Sequence, residues 1–339
     1  MQTILITGST GFVGSHILQA MQKHPVKTIA ACRDKTKLPS WYHGEVRQGD
    51  LNDPSYLNSV LDGVDTVCHA AAWTSLWGHA QHCRELYYEP SMRLLDACIA
   101  RKIARFLFVS TTSASAPDNS ADPLNPGIPR SFWPHLSNVI AIENAMRERA
   151  SGSTTMVTLR CGLFVGEHYG LGLLPILLPR LKTHLVPWVA GGNTSMPLID
   201  GSDIGQAFAL AALNPDLKGY ESFNIVGPEI PTVKQVIQFL HDEFGYPTPH
   251  FSVPFPAAYA FAWLMEKLDP ILPWQPLIVR SIVHLLEEVN VNNDKANSRL
   301  GYLPRVHWQD AIRKQIVEMK TNQTSNMKMF RPLPGAQIK

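Results

Sequence analysis

The sequence is poor in charged residues and lacks the patterns of several protein classes. Only 17% of its 339 residues are charged, the formal net charge is +2, and no long basic run is present, which argues against nucleic-acid binding. No apolar stretch reaches the roughly 18 residues of a membrane-spanning helix. The five cysteines form no C-x-x-C pair, so we expect reduced, buried thiols and no metal site. Because the chain opens on an apolar strand, we also expect no secretory signal and a cytoplasmic location.

What the sequence does contain is an alternation of short apolar strands and helices. Hydrophobic residues make up 45% of the chain, enough for a sizeable core. Such strands, separated by helices, predict a parallel sheet covered on both faces, with ligands bound beyond the carboxyl ends of the strands. The predicted strands are Thr3–Thr7, Lys27–Cys32, Val46–Gln48, Thr66–His69, Arg105–Ser110 and Thr155–Arg160, and the predicted helices are Gly14–Lys23, Pro54–Leu61, Glu85–Arg101 and Leu136–Ala150.

The pattern changes after Arg160, where glycine and proline become dense. We therefore predict an α/β fold, a Rossmann-type doubly wound parallel sheet with a smaller C-terminal substrate-binding lobe. The expected bounds are 1–165 for the dinucleotide-binding domain, with elements at about 195–230 returning to it, 166–320 for most of the lobe, and 321–339 for a flexible tail. The apolar patterns Phe255–Leu268 and Leu277–Glu288 predict helices. We expect the first to be buried in the lobe, while peripheral contact with a membrane or a partner stays open.

The strongest functional pattern is the glycine-rich turn between the first strand and the first helix. Gly8 permits a tight turn, Gly11 lets backbone amides approach a phosphate, and Gly14 lets the helix pack against the strand. The helix N-terminus that follows favours an anion through its N–H groups and its dipole. The turn predicts binding of a dinucleotide pyrophosphate, and the expected contact residues are Thr7, Gly8, Thr10, Gly11, Phe12, Val13 and Gly14.

Further motifs extend from the turn to about residue 318. They are Gln48-Gly49-Asp50-Leu51, Cys68-His69-Ala70-Ala71-Ala72, Phe108-Val109-Ser110-Thr111-Thr112, Leu159–Gly166, Gly191-Gly192-Asn193, Leu198–Ile204, Phe223-Asn224-Ile225 and Leu300–Pro304. Together with the turn they resemble the extended short-chain dehydrogenase/reductase family, in the NAD-dependent epimerase/dehydratase superfamily. Leu173–Pro175 and Val253-Pro254-Phe255 are most similar to the 3β-hydroxysteroid dehydrogenase-like branch. The resemblance implies that Asp50 and Leu51 contact adenine and that Ala70, Ala71 and Ala72 line the cofactor.

The end of the second strand bears on the choice of cofactor. An NAD enzyme usually places an acidic residue there to bind the ribose hydroxyls. This chain has Cys32 followed by Arg33, and an arginine suits a 2′-phosphate better. NADP(H) is therefore favoured over NAD(H). The alternative is that Arg33 is a solvated surface residue paired with Asp34.

The catalytic motif is where the sequence departs from the family. The resemblance implies a Ser/Thr, a Tyr-x-x-x-Lys pair and an asparagine, but no tyrosine lies between Tyr88 and Tyr169. The tyrosine position falls on His135, the lysine position on Val139 and the asparagine position on Tyr87, and only Thr111 keeps its type. An unperturbed histidine, with a pKa of about 6.5, can transfer protons at neutral pH. The candidate catalytic residues are therefore Thr111, His135 and Tyr87, although His135 also suits a simple polar helix start.

Aromatic and aliphatic residues surround the expected site and favour a flat or apolar ligand, although part of this set suits core packing equally well. The candidate pocket residues are Trp73, Trp77, Trp133, Tyr169 and Leu173.

Three functions remain open from the sequence. The first is an atypical NADP(H)-binding enzyme acting on a hydrophobic small molecule, by carbonyl reduction without the usual Tyr/Lys pair or by redox-neutral chemistry. The second is a catalytically inactive sensor or scaffold that binds NADP(H), and the third is an NAD-dependent sugar-nucleotide epimerase or dehydratase. The resemblance also implies a homodimer paired through Glu85–Arg101 and Leu136–Ala150.

Overall fold

A seven-stranded parallel sheet forms the centre of the protein in a computed structural model that describes residues 1–115, 127–150, 152–269, 271, 276–287 and 290–329. The strand order across the sheet is β10-β6-β5-β4-β1-β2-β3, and helices cover both faces, which confirms the predicted doubly wound fold. The strands of this sheet are β1 (Thr3–Thr7), β2 (Lys27–Cys32), β3 (Glu45–Gln48), β4 (Thr66–His69), β5 (Arg105–Thr111), β6 (Thr155–Cys161) and β10 (Tyr220–Ile225).

Two short strand pairs and twelve α-helices are further elements of the described residues. The short strands are β7 (Leu163–Val165), β8 (Trp188–Val189), β9 (Leu198–Asp200) and β11 (Ser252–Val253). The helices are α1 (Phe12–Met21), α2 (Pro54–Val60), α3 (Ala80–Cys83), α4 (Glu89–Ala100), α5 (Pro134–Arg149), α6 (Leu173–Leu181), α7 (Gly201–Leu213), α8 (Val233–Phe244), α9 (Phe255–Leu268), α10 (Arg280–His284), α11 (Asp294–Leu300) and α12 (Trp308–Met329).

The register of the sheet brings the carboxyl ends of its central strands to one edge. Thr7 at the end of β1 pairs with Ala31 and with His69, and Thr111 at the end of β5 pairs with Cys161. One face of the sheet is covered by α1 and α7, which lie so close that a Cβ on Gly205 would come within 2.4 Å of the His16 carbonyl oxygen. The opposite face packs its apolar side chains against α2, α4 and α5.

The C-terminal lobe has its own apolar core, formed mainly by α6, α8 and α12. Thr232 caps α8 in a capping box with Gln235. The helix α9 has the predicted bounds, but the expectation that it is buried in the lobe is wrong for most of its surface, because only Ala258 and Ala262, two of its four alanines, are buried. Phe261, Trp263 and Leu264 are 44–47% exposed. One face of α9 is therefore apolar and solvent-facing.

The last helix runs into the segment for which the sequence predicts a flexible tail. It extends to Met329, and residues 330–339 lie outside the described residues. The other apolar pattern, Leu277–Glu288, contains a helix of only five residues, α10. Among the helices described, none combines the length and hydropathy that crossing a membrane requires. All five cysteines are buried and none forms a disulfide, as expected.

Candidate active site

The glycine turn packs so tightly that only glycine fits at two of its positions. Gly8 has a φ of +64°, and a Cβ there would lie 2.6 Å from the carbonyl oxygen of Ala70 and from the amide nitrogen of Ala71. A Cβ on Gly14 would lie 2.2 Å from the Gly8 carbonyl oxygen. Gly11 is exposed and caps α1 without a side-chain hydrogen bond, so the first amides of the helix remain for an anion. This cradle fits the pyrophosphate of a dinucleotide.

A buried chain of hydrogen bonds ties the turn to the segment after β4. The Ala71 amide donates to Thr7 Oγ1 over 3.3 Å, Thr7 Oγ1 lies 2.7 Å from His69 Nδ1, and His69 Nε2 lies 2.9 Å from Ser91 Oγ. Because the Ser91 hydroxyl donates its one proton to the Tyr87 carbonyl oxygen, Ser91 Oγ must accept from Nε2–H. Nδ1 is then an acceptor for the Thr7 hydroxyl. Burial lowers the pKa of His69 to about 4, which agrees with a neutral ring.

Arg33 lies exposed directly after β2, in a cluster of positive charge. Asp34 accepts hydrogen bonds from the Thr36 amide and hydroxyl, at 3.0 and 2.6 Å, and lies 3.7 Å from the Lys37 ammonium. In the part of the chain that the structure describes, Arg33 makes no ion pair, so the pairing with Asp34 is wrong, whereas the solvated surface position of that alternative is what the structure shows. Lys35 is exposed beside it. The position expected to meet a ribose 2′-substituent is therefore cationic.

The adenine and nicotinamide ends of the predicted cofactor site are also accessible. Asp50 is exposed after β3 and accepts from the Asn52 amide over 2.9 Å, while Leu51 is half-buried. After β4, Ala70 and Ala71 are half-buried and Ala72 is exposed. These residues all lie beyond carboxyl ends of strands, where Rossmann folds bind their cofactors.

The structure brings two of the three candidate catalytic residues into contact. The rings of Tyr87 and His135 lie 4.9 Å apart between centroids. Tyr87 is 3% exposed, and burial raises the pKa of its phenol. Burial also lowers the pKa of His135 to about 4, partly offset by the nearby backbone of Trp73, and the buried Nδ1 of His135 finds no hydrogen-bond partner among the described residues. Val139, at the lysine position, is 3% exposed and supplies no charge.

Thr111, the third candidate, is half-buried at the end of β5. Its Oγ1 accepts a hydrogen bond of 3.2 Å from the Ser113 amide and thereby caps the short helical turn Thr112–Ala114. Accepting this bond leaves the hydroxyl proton for a further acceptor, such as a substrate oxygen.

The candidate pocket residues divide into two groups. Tyr169 contacts the glycine turn, with its ring 4.6 Å from that of Phe12. Leu173 begins α6 and packs against the core of the lobe. The second group consists of the three tryptophans. Trp133 is 6% exposed and donates from Nε1 to the Ser75 carbonyl oxygen over 2.9 Å. Trp73 lies beside His79 and His82, and Trp77 lies beside His79; no group of three metal-ligating side chains occurs in the described ranges.

A cavity that the sequence did not indicate opens directly after Thr111. Three hydroxyl residues and a histidine–glutamate pair line it, and the full lining is Thr112, Ser113, Ser115, Leu163, Pro197, His284, Leu285 and Glu287. His284 Nδ1 lies 2.7 Å from Glu287 Oε2, and His284 holds the pKa of the Glu287 carboxyl below its usual range. A histidine with a glutamate three residues later in the pattern Leu277–Glu288 was the only indication of this pair.

A buried ion pair supports the wall of this cavity. Arg160 and Glu143 are both 0% exposed, and the guanidinium Nη2 donates to Glu143 Oε2 over 2.6 Å. Glu143 also accepts from the Ser110 hydroxyl, and Arg160 Nη1 donates to Ser115 Oγ over 2.8 Å. The network joins α5, β5 and β6 beneath the hydroxyl residues. It fixes Ser115 from behind and leaves its own hydroxyl proton for another acceptor.

Comparison with known proteins agrees with this architecture. The model of the NAD-dependent epimerase/dehydratase family matches residues 4–226. The chain is 22% identical to a decarboxylating sterol-4-alpha-carboxylate 3-dehydrogenase of Dictyostelium discoideum, over 92% of this chain and 99% of the relative. It is 25% identical to a 2-alkyl-3-oxoalkanoate reductase of Stenotrophomonas maltophilia, over 92% and 97%.

Solved structures share the whole fold. UDP-glucuronic acid 4-epimerase from Bacillus cereus, in complex with NAD, superposes with a TM-score of 0.72 at 20% identity, covering 95% of this chain and 99% of that one. The resemblance to extended short-chain dehydrogenases/reductases is thereby confirmed, and the protein with its glycine cradle belongs to the NAD-dependent epimerase/dehydratase family.

Proposed function

We propose that the protein is an NADP(H)-dependent reductase of hydrophobic ketones with an atypical active site. The observation that supports this most strongly is the combination of an intact dinucleotide cradle with a hydroxyl-lined cavity at the carboxyl end of β5. Short-chain reductases need both a bound nicotinamide and a donor to the substrate oxygen. The glycine cradle supports binding of the cofactor, and the hydroxyls of Thr111 and Ser113 are the candidate donors to the substrate oxygen.

The preference for NADP(H) is supported by the charges after β2. Arg33 and Lys35 are exposed, and β2 ends in the buried, uncharged Cys32. The adjacent carboxylate, Asp34, accepts hydrogen bonds from the Thr36 amide and hydroxyl. A 2′-phosphate would find a free guanidinium there, whereas ribose hydroxyls alone would find no carboxylate of the kind that NAD enzymes supply.

The substrate class is supported by the apolar surroundings of the site. Trp133 and Phe132 pack beside the cavity, and Leu163, Pro197 and Leu285 form part of its wall. Basic side chains that could bind a diphosphate are absent from this lining. The names of the relatives point the same way, since one acts on a sterol and one on an alkyl-oxoalkanoate.

The chemistry follows from the cofactor and from what replaces the usual pair. When bound, the reduced nicotinamide supplies a hydride to the carbonyl carbon. Thr111 can donate a hydrogen bond to the carbonyl oxygen as negative charge develops. Val139 cannot bind the ribose, so cofactor affinity depends more on the glycine cradle and on Arg33. His135 with Tyr87 stays a prediction for proton transfer.

The test is a panel of ketones incubated with NADPH, with turnover followed by the absorbance of the reduced nicotinamide. Long-chain 3-oxo esters and steroid ketones represent the apolar class. We expect turnover of at least one of them and slower turnover with NADH. Tight NADPH binding without turnover would instead support the inactive sensor or scaffold, and conversion of a UDP-sugar with NAD would support the epimerase.

Two further contacts stay predictions with their own tests. Pairing of two copies through α4 and α5 is expected to give a dimer in sedimentation experiments, and a monomer at all concentrations would contradict it. Peripheral contact with a membrane would use the exposed face of α9. Flotation with anionic and neutral lipid vesicles, compared between the native chain and Trp263→Ser, tests this contact.

A further inference from the structure

We propose that His284, held by Glu287, is the proton donor that replaces the missing tyrosine. The inference rests on the proposed reductase function. Its basis is the cavity that begins one residue after Thr111, in which the hydroxyl residues Ser113 and Ser115 share a lining with His284. The cavity has a volume of about 20 Å³, room for a single substrate oxygen, which would contact the hydroxyl residues and the imidazole that line it.

The histidine is fixed on two sides. Its ring meets the rings of Trp133 and Phe132 edge-on, with centroids 6.0 and 6.1 Å away, and it is 8% exposed. Nδ1 lies 2.7 Å from Glu287 Oε2. Because Nδ1 lies next to the carboxylate, Nε2 is the nitrogen left for a ligand. A carboxylate beside an imidazole is an arrangement that supports general acid–base catalysis by histidine.

The segment that carries His284 is anchored to the wall bearing the tryptophans. Ser281 donates from its hydroxyl to the Leu76 carbonyl oxygen. Arg280 stacks on the Phe132 ring at 4.9 Å and forms an ion pair of 2.6 Å with Glu266. These contacts join α10 to two distant segments of the chain. The position of the imidazole is therefore set by packing instead of by an isolated loop.

Charged and aromatic groups face the imidazole from several segments. Glu287 contributes the nearest carboxylate, and Arg130 lies close enough to lower the pKa of that carboxyl together with His284. The charge of Arg280 is matched by Glu266. Phe132 and Trp133, which face the ring from the other side, are uncharged. The described environment thus places one carboxylate against the imidazole.

The proposed step balances without any further reactant. The carbonyl carbon accepts a hydride, with its electron pair, from the bound reduced nicotinamide. The carbon–oxygen π bond breaks towards oxygen, and the oxygen takes the proton from Nε2 of His284. The products are the secondary alcohol, the oxidised cofactor and a neutral imidazole, which regains its proton from solvent. Glu287 is a positioning residue, since it acts through His284.

The test compares three histidine variants of the full chain. His284→Gln is expected to lower kcat for the best ketone by about 10²-fold, the range of a lost general acid, with the Kd for NADPH within twofold of the native value. His24→Gln, at an exposed position, is the matched control and is expected to keep native activity. His135→Gln tests the other candidate. Full activity in His284→Gln with loss in His135→Gln would overturn the inference while the reductase function stands.

The pH profile of kcat in Glu287→Gln distinguishes a positioning role of Glu287 from a purely structural one. The acid must be protonated, so kcat falls as pH rises through its pKa. Removing the carboxylate destabilises the imidazolium, and the descending limb of the kcat profile should move to lower pH. An unchanged limb would overturn the inference. Because this variant is isosteric, its fold is expected to survive, which thermal unfolding checks.

Imidazole NMR resonances provide a readout without turnover. The His284 signal is identified by its loss in His284→Gln, and the alcohol product with NADP⁺ should shift it while leaving the His24 signal in place. An unshifted His284 signal in the presence of a bound alcohol would overturn the inference. Absence of ketone turnover in the native chain would overturn the proposed function and this inference together, an outcome distinct from an active His284→Gln.

Discussion

The proposed preference for NADP(H) should be lost on one substitution, Arg33→Ala. Arg33 is exposed after β2, and in the described part of the chain it makes no ion pair that would compete with a 2′-phosphate. A hydrogen bond to a charged group contributes about 1.5–3 kcal/mol, and solvent exposure favours the lower end of that range. Since about 1.4 kcal/mol corresponds to tenfold in affinity, we expect NADPH binding to weaken about tenfold. NADH binding should stay within twofold.

The assay is titration of cofactor fluorescence for both cofactors at low and at high salt. The native preference for NADPH should shrink at high salt, because an exposed phosphate–guanidinium pair is screened. Lys23→Ala, which removes an exposed cation beyond the opposite end of α1, is the control and should leave both affinities unchanged. An unaltered ratio of NADPH to NADH affinity in Arg33→Ala would refute the reasoning.

Three further predictions concern the cradle and the buried polar groups. Gly14→Ala should weaken NADPH binding about tenfold or more, because its Cβ would lie 2.2 Å from a backbone oxygen, whereas Gly170→Ala has open space and should bind normally in the same titration. Glu143→Gln should lower the free energy of unfolding by about 3–5 kcal/mol in urea, because Arg160 loses its buried carboxylate; a cost under 1 kcal/mol would contradict a strong pair. The pKa of His69 is about 4 in the folded protein and 6.5 in the unfolded chain. The neutral ring therefore contributes about 3 kcal/mol to the free energy of unfolding above pH 6.5, and this contribution is lost as pH falls towards 4. Urea unfolding at several pH values should show this slope, and His69→Gln should flatten it.

The sequence predicts the central sheet well because each strand is determined by a short stretch of neighbouring residues. The strands β1, β2 and β4 have the predicted bounds to the residue, since each is a short apolar run ended by polar or glycine residues. The bounds of α9 were equally clear, because Pro254 precedes the helix and Asp269 follows it. Which face of α9 is buried was not predictable, because alanines and large apolar residues alternate all around it.

The candidate site was predictable only in part, because half of it depends on contacts between distant segments. The glycine cradle is a continuous motif, and the sequence indicated it fully. His284 lies about 150 residues from its neighbour Trp133, and its role depends on how α10 packs there. The sequence alone could not show whether Arg33 pairs with Asp34, because only the structure shows that Asp34 caps the turn Lys35–Lys37.

The hydrogen-bond chain beneath the cofactor cradle has a consequence for exchange with solvent. Each proton from the Ala71 amide through Thr7 and His69 to Ser91 has one acceptor, so the chain cannot reverse one bond at a time. The bond from the Ala71 amide to Thr7 Oγ1 is the longest of the chain, and its loss leaves the bonds from Thr7 to His69 and from His69 to Ser91 in place. The Ala71 amide should therefore exchange with deuterium faster than the strands of the central sheet, while the buried part of the chain keeps its direction.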